Sequence, residues 1–532
     1  MAGHFINTIK MLSQNFQAFF DGFKFRSNKA NKLFSIAVFL IAINIFYTYV
    51  GVYKFINKRP SSIHMSAQCS RASVALNYYE NNMNFFTPQY QRNMEGPGYT
   101  GLEFPAIYYM GAVCYKIFGF NEIYLRLISL IIFSFGMLLF YMLTLKYTKS
   151  NWVSLSIVAA VICSPVLIFY TPNFMPDPPS LALIMGAWYF LFKYIQTNKN
   201  THLNLFAILA TFGVLLKVTA AICFVIVIVL LILDALKFFK NTERVYLFTD
   251  KKKVIFRIII SLIIIGSWYK YSRWFPEAYG GQSFLLSPNA YQNWEGLVEV
   301  LGWMEKLWLN HYYSYESYVL LGAVTIFIIL AIKFVNRLLL TITILYILGS
   351  LCYFLFFLNQ FMHHDYYVIT MFPSFFFLFL CFADIVTKIS NKYFFLTKSI
   401  LLIVLFFNLK ESVVKCKKNI YERNGTDIFY WTGDFRAYED LEPKLRKLGL
   451  TRTDRVVSGY DPTDCGSLYL MNQLGVTFGD GAEKEQVNSF ISHKNAKYLI
   501  LTDSAKFKKD YGYDFSKNVI STHRGLIIYK IK

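Results

Sequence analysis

The chain has 532 residues; 53 are Lys or Arg and 32 are Asp or Glu, for a net charge of +21, with 55% hydrophobic and 19% aromatic residues. Only 16% are charged, against roughly 25% in ordinary soluble domains. That excludes a disordered polyelectrolyte, and it excludes an ordinary soluble enzyme, because one globule cannot hide so much apolar surface.

Residues 1–32 carry Lys10, Lys24, Arg26, Lys29 and Lys32, with Phe5, Ile9, Phe16, Phe19, Phe20 and Phe23 at near-helical spacing. This arm predicts an amphipathic helix on the inner membrane face. The run 33–53 follows. It is too long for a cleavable signal peptide, and no small-residue cleavage site follows it. It is the first of about eleven apolar runs that approach or exceed the roughly 18–20 residues needed to cross a bilayer. The others are 123–145, 152–170, 180–192, 205–216, 218–236, 254–269, 318–332, 338–358, 368–385 and 399–409. The shorter ones borrow flanking residues. Residues 33–409 therefore predict a membrane domain with a large outer loop, 54–122.

With a cytoplasmic N-terminus, the inner loops hold Lys146, Lys149, Lys193, Lys199, Lys237, Lys240, Arg244, Lys251, Lys252, Lys253, Lys333, Arg337, Lys388, Lys392 and Lys398. The outer loops are poorer in Lys and Arg, so the pattern follows the positive-inside rule. Much of the net charge is thus a topology signal, which argues against a nucleic-acid partner. An odd number of spans puts the C-terminus outside.

The outer ends of the spans hold the chemistry. In the first outer loop Gln68-Cys-Ser-Arg71 opens a short helix over 70–81, and a Gly-rich crossing leads to Glu103 and a second helix over 105–118. A Glu ahead of a helix is either a charged carboxylate favoured by the helix dipole or a plain cap. Asp177 stands before two prolines and reads either as an N-cap or as a second acid on the same side as Glu103. Lys217 separates two apolar runs at the outer side; it either snorkels or binds a lipid phosphate. Arg273 is a weaker phosphate candidate. The loop His363-His-Asp365-Tyr-Tyr367 faces outward. If a divalent cation binds, Glu103 and His364 are its expected ligands. The span centres carry almost no charge, which argues for chemistry at the outer surface over a passage through the middle.

From residue 410 charges and glycines return. Helices are predicted over 435–448, 466–474 and 484–493, strands over 455–460 and 497–503, and a hairpin over 519–531. Residues 410–532 thus predict an extracytoplasmic α/β domain that packs or positions an acceptor. Cys114, Cys163, Cys223, Cys352 and Cys381 lie in apolar segments as packing residues. Cys69, Cys416 and Cys465 leave a disulfide open without fixing a pairing.

The stretch from Tyr108 to Leu127, with Phe118-Gly-Phe-Asn-Glu-Ile-Tyr-Leu-Arg126, the segment Met175-Pro-Asp177, Gly213-Val-Leu-Leu-Lys217 and His364-Asp-Tyr-Tyr367 together resemble the membrane glycosyltransferases of the C-type fold. More narrowly, the pattern resembles the bacterial relatives of protein O-mannosyltransferases and lipid A aminoarabinose transferases. The resemblance spans the layout of residues 30–390. It implies a polytopic α-helical enzyme of the bacterial inner membrane. Such an enzyme moves a sugar from a polyprenyl-phosphate donor to an envelope glycan, lipid or protein at the outer face. It implies that Glu103 and Asp177 are the catalytic acids, that Lys217 contacts the carrier phosphate with help from Arg273, and that Gln68, Arg71 and Tyr367 position the acceptor. Glu103 is the expected base, with Asp177 as alternative or orienting partner. One departure stands out: many members carry an acid where this chain has Gln68, and an amide cannot accept the proton. A flippase or exporter of lipid-linked sugars is the competing reading.

Overall fold

The computed structural model describes residues 28–240, 245–285, 294–388, 392–425 and 435–532. Residues 1–27, most of the expected surface helix, lie outside the described residues. Helix α1 (Asn28–Val50) is the first apolar run. The first outer loop follows, with α2 (Met65–Glu80), a two-residue strand β1 (Thr100–Gly101) and α3 (Ala106–Phe118). Then come α4 (Ile123–Thr148), α5 (Asn151–Ile162), α6 (Pro165–Tyr170), α7 (Asp177–Thr197), α8 (Asn200–Leu216), α9 (Ile222–Ala235) and α10 (Lys251–Ala278). The next outer segment carries β2 (Gln282–Ser283), α11 (Trp294–Leu307) and α12 (Leu309–Tyr312). Helices α13 (Tyr315–Leu330), α14 (Arg337–Phe356), α15 (Leu358–His363), α16 (Phe372–Lys388) and α17 (Lys392–Gly425) complete the helical part.

The predicted apolar runs fall largely on these helices, with ends that differ by a few residues. The run 152–170 is split, because Pro165 has no N–H to continue α5. Ser164 starts α6 instead, its Oγ accepting from the Leu167 N–H. Among the described residues, six helical segments are long and apolar enough to cross a membrane: Lys29–Val50, Ile123–Thr148, Val218–Ala235, Lys251–Ala278, Arg337–Phe356 and Asp365–Lys388.

The helices pack through small residues. A Cβ at Gly136 of α4 would lie 2.2 Å from the Ala182 carbonyl oxygen of α7. The two backbones therefore meet with no room for a methyl group. Gly136→Ala should push α4 off α7 and cost about 1–3 kcal/mol, measured as a lower unfolding temperature of the detergent-solubilised protein.

The change to a soluble composition at residue 410 is not the structural boundary, since α17 runs on to Gly425. Glu411, Lys418 and Glu422 are exposed, whereas Ser412, Cys416, Asn419 and Arg423 are buried. This is a helix-period face. Ser412 Oγ bonds Ser317 Oγ of α13 at 2.8 Å. Returning charge marks only the outward side of a helix that keeps packing.

The C-terminal part holds α18 (Arg436–Glu439), α19 (Glu442–Lys447), β3 (Arg455–Gly459), α20 (Gly466–Leu470), β4 (Gly475–Phe478), α21 (Lys484–Ser492), β5 (Ala496–Leu501), α22 (Ser504–Tyr511), β6 (Val519–His523) and β7 (Leu526–Lys530). The five strands form one sheet in the order β4-β3-β5-β7-β6. Strand β3 runs parallel to β4 and β5, and β7 is antiparallel to β5 and β6. The expected 435–448 helix is two short ones, and β4 and α22 were not predicted. The sheet edge is capped by the first outer loop: Asn93 N–H donates to Gly475 O at 2.7 Å, and Gly475 N–H to Gln91 O at 3.1 Å. All eight cysteines are free, including Cys69, Cys416 and Cys465.

Candidate active site

Main-chain contacts converge on one end of the helices. The Phe104 N–H donates to the Leu215 carbonyl at 2.9 Å, so Glu103 arrives beside the end of α8. Helices α7 and α8 form an antiparallel pair, joined where Ser180 Oγ donates to Gly213 O at 2.7 Å. The start of α7 therefore lies next to the end of α8. Strand β1 pairs in parallel with β2. A Cβ at Gly101 would sit 1.9 Å from the Ser272 carbonyl oxygen, so that crossing needs glycine.

Two ion pairs result. Lys217 Nζ is 2.8 Å from Asp177 Oδ1. Asp177 is 2% exposed, and its Oδ2 has no partner among the described residues. Its side chain makes no cap, so the N-cap alternative falls. Lys217 Nζ also lies 4.6 Å from the Tyr367 ring centroid and 5.5 Å from that of Tyr366. In the other pair, Arg71 Nε is 2.9 Å and Nη2 3.4 Å from the two Glu103 oxygens, and Tyr108 donates to Oε1 at 2.5 Å. Burial alone would raise the Glu103 carboxyl. Arg71 and the Tyr108 hydroxyl outweigh it and hold the group below its ordinary value, with Lys217 contributing.

That geometry counts against Glu103 as the proton acceptor. A base working near neutral pH needs a raised carboxyl value and a free oxygen; Glu103 is held low, with both oxygens engaged. The depressed value has a stability consequence. The pair's contribution is full above the ordinary carboxylate value of about 4.3 and is lost as pH falls through the lower folded value. Glu103→Gln should therefore unfold at a lower temperature than the parent at pH 6. The difference should shrink as the pH falls below the ordinary carboxylate value of about 4.3.

A second cluster adjoins the first. Asp365 is fully buried; it meets Arg423 Nη2 at 2.7 Å and accepts from Tyr170 at 2.8 Å. His64 Nε2 lies 3.2 Å from Asp365 Oδ1, close enough for a charge pair though turned off the line of a hydrogen bond. The His64 ring is 5.1 Å, centroid to centroid, from both His364 and Tyr366. Burial, then electrostatic interaction with the neighbouring imidazoles of His64 and His363, push His364 down to about 3, so its imidazole is neutral at physiological pH.

The expected site residues divide accordingly. Glu103, Asp177, Lys217, Arg71 and Tyr367 come together. Gln68 is buried with its amide turned away, donating to Ser61 O at 3.0 Å and Ile63 O at 2.8 Å. It braces the loop that carries His64. Arg273 is exposed on α10 and forms no ion pair among the described residues. Glu103 and His364 do not suit a metal: the Glu103 carboxylate is neutralised by Arg71. Among the described residues no group of three or more His, Cys, Asp and Glu is placed to hold an ion. His64, Tyr108, Tyr170 and Arg423 were not singled out as site residues. Arg423 was hidden by the assumed boundary at 410. Nothing local distinguishes His64.

Residues 103–271, from Glu103 past Lys217, match the family described as dolichyl-phosphate-mannose-protein mannosyltransferase. The structure superposes on that of ArnT from Cupriavidus metallidurans in the apo state with a TM-score of 0.60, at 11% identity, over 94% of this chain and 98% of that one. The chain shares the fold of that protein. The same protein bound to undecaprenyl phosphate gives a TM-score of 0.57 at 10% identity, over 92% of this chain and 98% of that one. The apo oligosaccharyltransferase of Archaeoglobus fulgidus gives 0.51 at 13% identity, over 88% of this chain and 69% of that one. No curated protein matches the sequence significantly. The resemblance read from residues 108–127, 175–177 and 213–217 lies inside the matched stretch and is upheld there, while residues 364–367 lie beyond it; the apolar helices make the chain a multi-pass membrane protein.

Proposed function

We propose that the protein transfers a sugar from a polyprenyl-phosphate carrier to an envelope glycan, lipid or protein. The reaction takes place at the outer face of a bacterial inner membrane. The N-terminus is cytoplasmic and the α/β domain extracytoplasmic. The observation that carries this reading is the Lys217–Asp177 pair at the join of α8 and the next apolar segment. Leu181, Ile184, Ile222, Tyr346 and Ile369 line a narrow crevice beside it, and this apolar wall is of the kind along which an isoprenoid tail would lie. ArnT binding undecaprenyl phosphate is consistent with such a donor.

In the reaction the acceptor oxygen or nitrogen forms a bond to the anomeric carbon as that carbon's bond to the phosphate oxygen breaks. The bonding pair leaves with the phosphate. Lys217, a compact positive charge, stabilises it. Asp177 holds the ammonium in place, and its unpartnered oxygen is open to a sugar hydroxyl. Glu103 fixes Arg71 at the rim. The export reading is not favoured: the ion pairs of the helical part sit at helix ends, with none along a mid-membrane path among the described residues.

The test is mass analysis of envelope glycans and lipids from cells with and without the protein. One sugar should be missing without it. Cells carrying Glu103→Gln or Asp177→Asn should lack the same sugar while the protein is still membrane-inserted. Unchanged masses in the deletion strain would overturn the reading.

A further inference from the structure

A base remains to be placed. The acceptor's proton must go somewhere; Glu103 has both oxygens engaged, Gln68 cannot accept it, and Asp177, although one oxygen is unpartnered, lies with Lys217 on the phosphate side. A cavity of about 330 Å³ opens beside the second cluster, between the outer loops and the α/β domain. Trp303, Leu307, Trp308 and Met362 give it apolar walls, and His64 and Thr463 give it polar edges. This is the build of a site for a small organic group, with flat aromatic faces for the C–H side of a sugar ring or a lipid headgroup.

In the cavity wall the His64 imidazole lies beside the buried carboxylate of Asp365, while Thr463 is bonded to a second buried carboxylate, Asp461. His64 Nε2 lies 3.2 Å from Asp365 Oδ1, and the residue lines the cavity. Asp365 is itself held by Arg423 and Tyr170, so it cannot turn away. The backbone of His64 is left-handed, at φ 55 and ψ 33. Residues other than glycine adopt that region rarely and at a cost, and such positions gather at functional sites. The Gln68 amide, bonded to Ser61 O and Ile63 O, clamps this turn. The site is also adjacent to the donor phosphate. The Tyr366 ring lies 5.1 Å from the His64 ring and 5.5 Å from the Lys217 ammonium, so both are neighbours of one aromatic side chain.

We infer that His64, oriented by Asp365, takes the proton from the acceptor's nucleophile in this cavity. This rests on the transfer reaction proposed above. Nδ1 accepts the proton as the acceptor atom bonds to the anomeric carbon. The bond from the anomeric carbon to the phosphate oxygen breaks, and its electron pair departs on the phosphate at Lys217. The imidazolium formed is balanced by Asp365 and returns its proton to the leaving phosphate or to water. Gln68 is then a positioning residue, where relatives with an acid at that position have a proton acceptor.

The left-handed backbone chooses the variants, since asparagine and glycine both tolerate it. Purified full-length protein would be added to membranes of the source cells lacking it, which supply donor and acceptor. His64→Asn should lower kcat by about 10²–10⁴-fold, the usual contribution of a general base. KM for the donor should hold, as should binding of undecaprenyl phosphate. His64→Gly should be equally slow, and imidazole at tens of millimolar should restore at least about tenfold of the loss. Turnover within about threefold of the parent in either variant, or no response of His64→Gly to imidazole, overturns the inference and leaves the transfer reaction standing. Failure of the unaltered protein to transfer any sugar instead defeats the reaction on which it rests.

Discussion

Asp365→Ala should cost about 3–5 kcal/mol of stability, the loss expected when one partner of a buried ion pair is removed. Arg423 is 2% exposed, and its Nε and Nη1 already lack partners. Without Asp365 the guanidinium would be a bare charge inside the protein, and Tyr170 would lose its acceptor. The measurement is thermal unfolding of the solubilised protein. The mechanism has a sharper check in the double variant Asp365→Leu with Arg423→Met. An apolar pair of similar volume removes both the charge and its desolvation cost, so most of the lost stability should return. Transfer should not return, because His64 would have no carboxylate to orient it. A double variant no more stable than Asp365→Ala would show that the network is not held by this pair.

Lys217→Ala should lower kcat by about 10²–10³-fold, the range for removal of one preorganised stabiliser of developing negative charge. It should also weaken binding of undecaprenyl phosphate. The companion Asp177→Asn keeps the cation but frees it to move. It should lower kcat while leaving carrier binding intact or tighter, since the ammonium loses its competing carboxylate. If Lys217→Ala bound the carrier as well as the parent, the phosphate would have to lie elsewhere on the protein.

The helical architecture was legible because apolar runs near membrane length admit few alternatives. The outer cluster was legible in part for a related reason: ionisable residues at the ends of such runs are costly without a role, and Asp177 and Lys217 both stood there. What pattern could not supply was partnership. Glu103 reads equally well as a base or as a helix cap, and the deciding contact is with Arg71, thirty-two positions away. The boundary at 410 failed because composition reports the exposed face of α17, while Arg423 on the hidden face reaches Asp365. Strand β4 was missed for a similar reason. It is only four residues long, and its place depends on β3 and on the loop at Gln91, neither of which is local.

One backbone hydrogen bond, from Phe104 to Leu215, joins the first outer loop to the end of α8. Its partners are an amide and a carbonyl that every non-proline residue carries, so no particular side chain is needed to keep that spacing. Descendants of such a scaffold are free to exchange the chemical groups at 68, 71, 103 and 177 without redrawing the frame. A chain that replaced an acid with Gln68 and recruited a histidine from the next turn would be one product of that freedom.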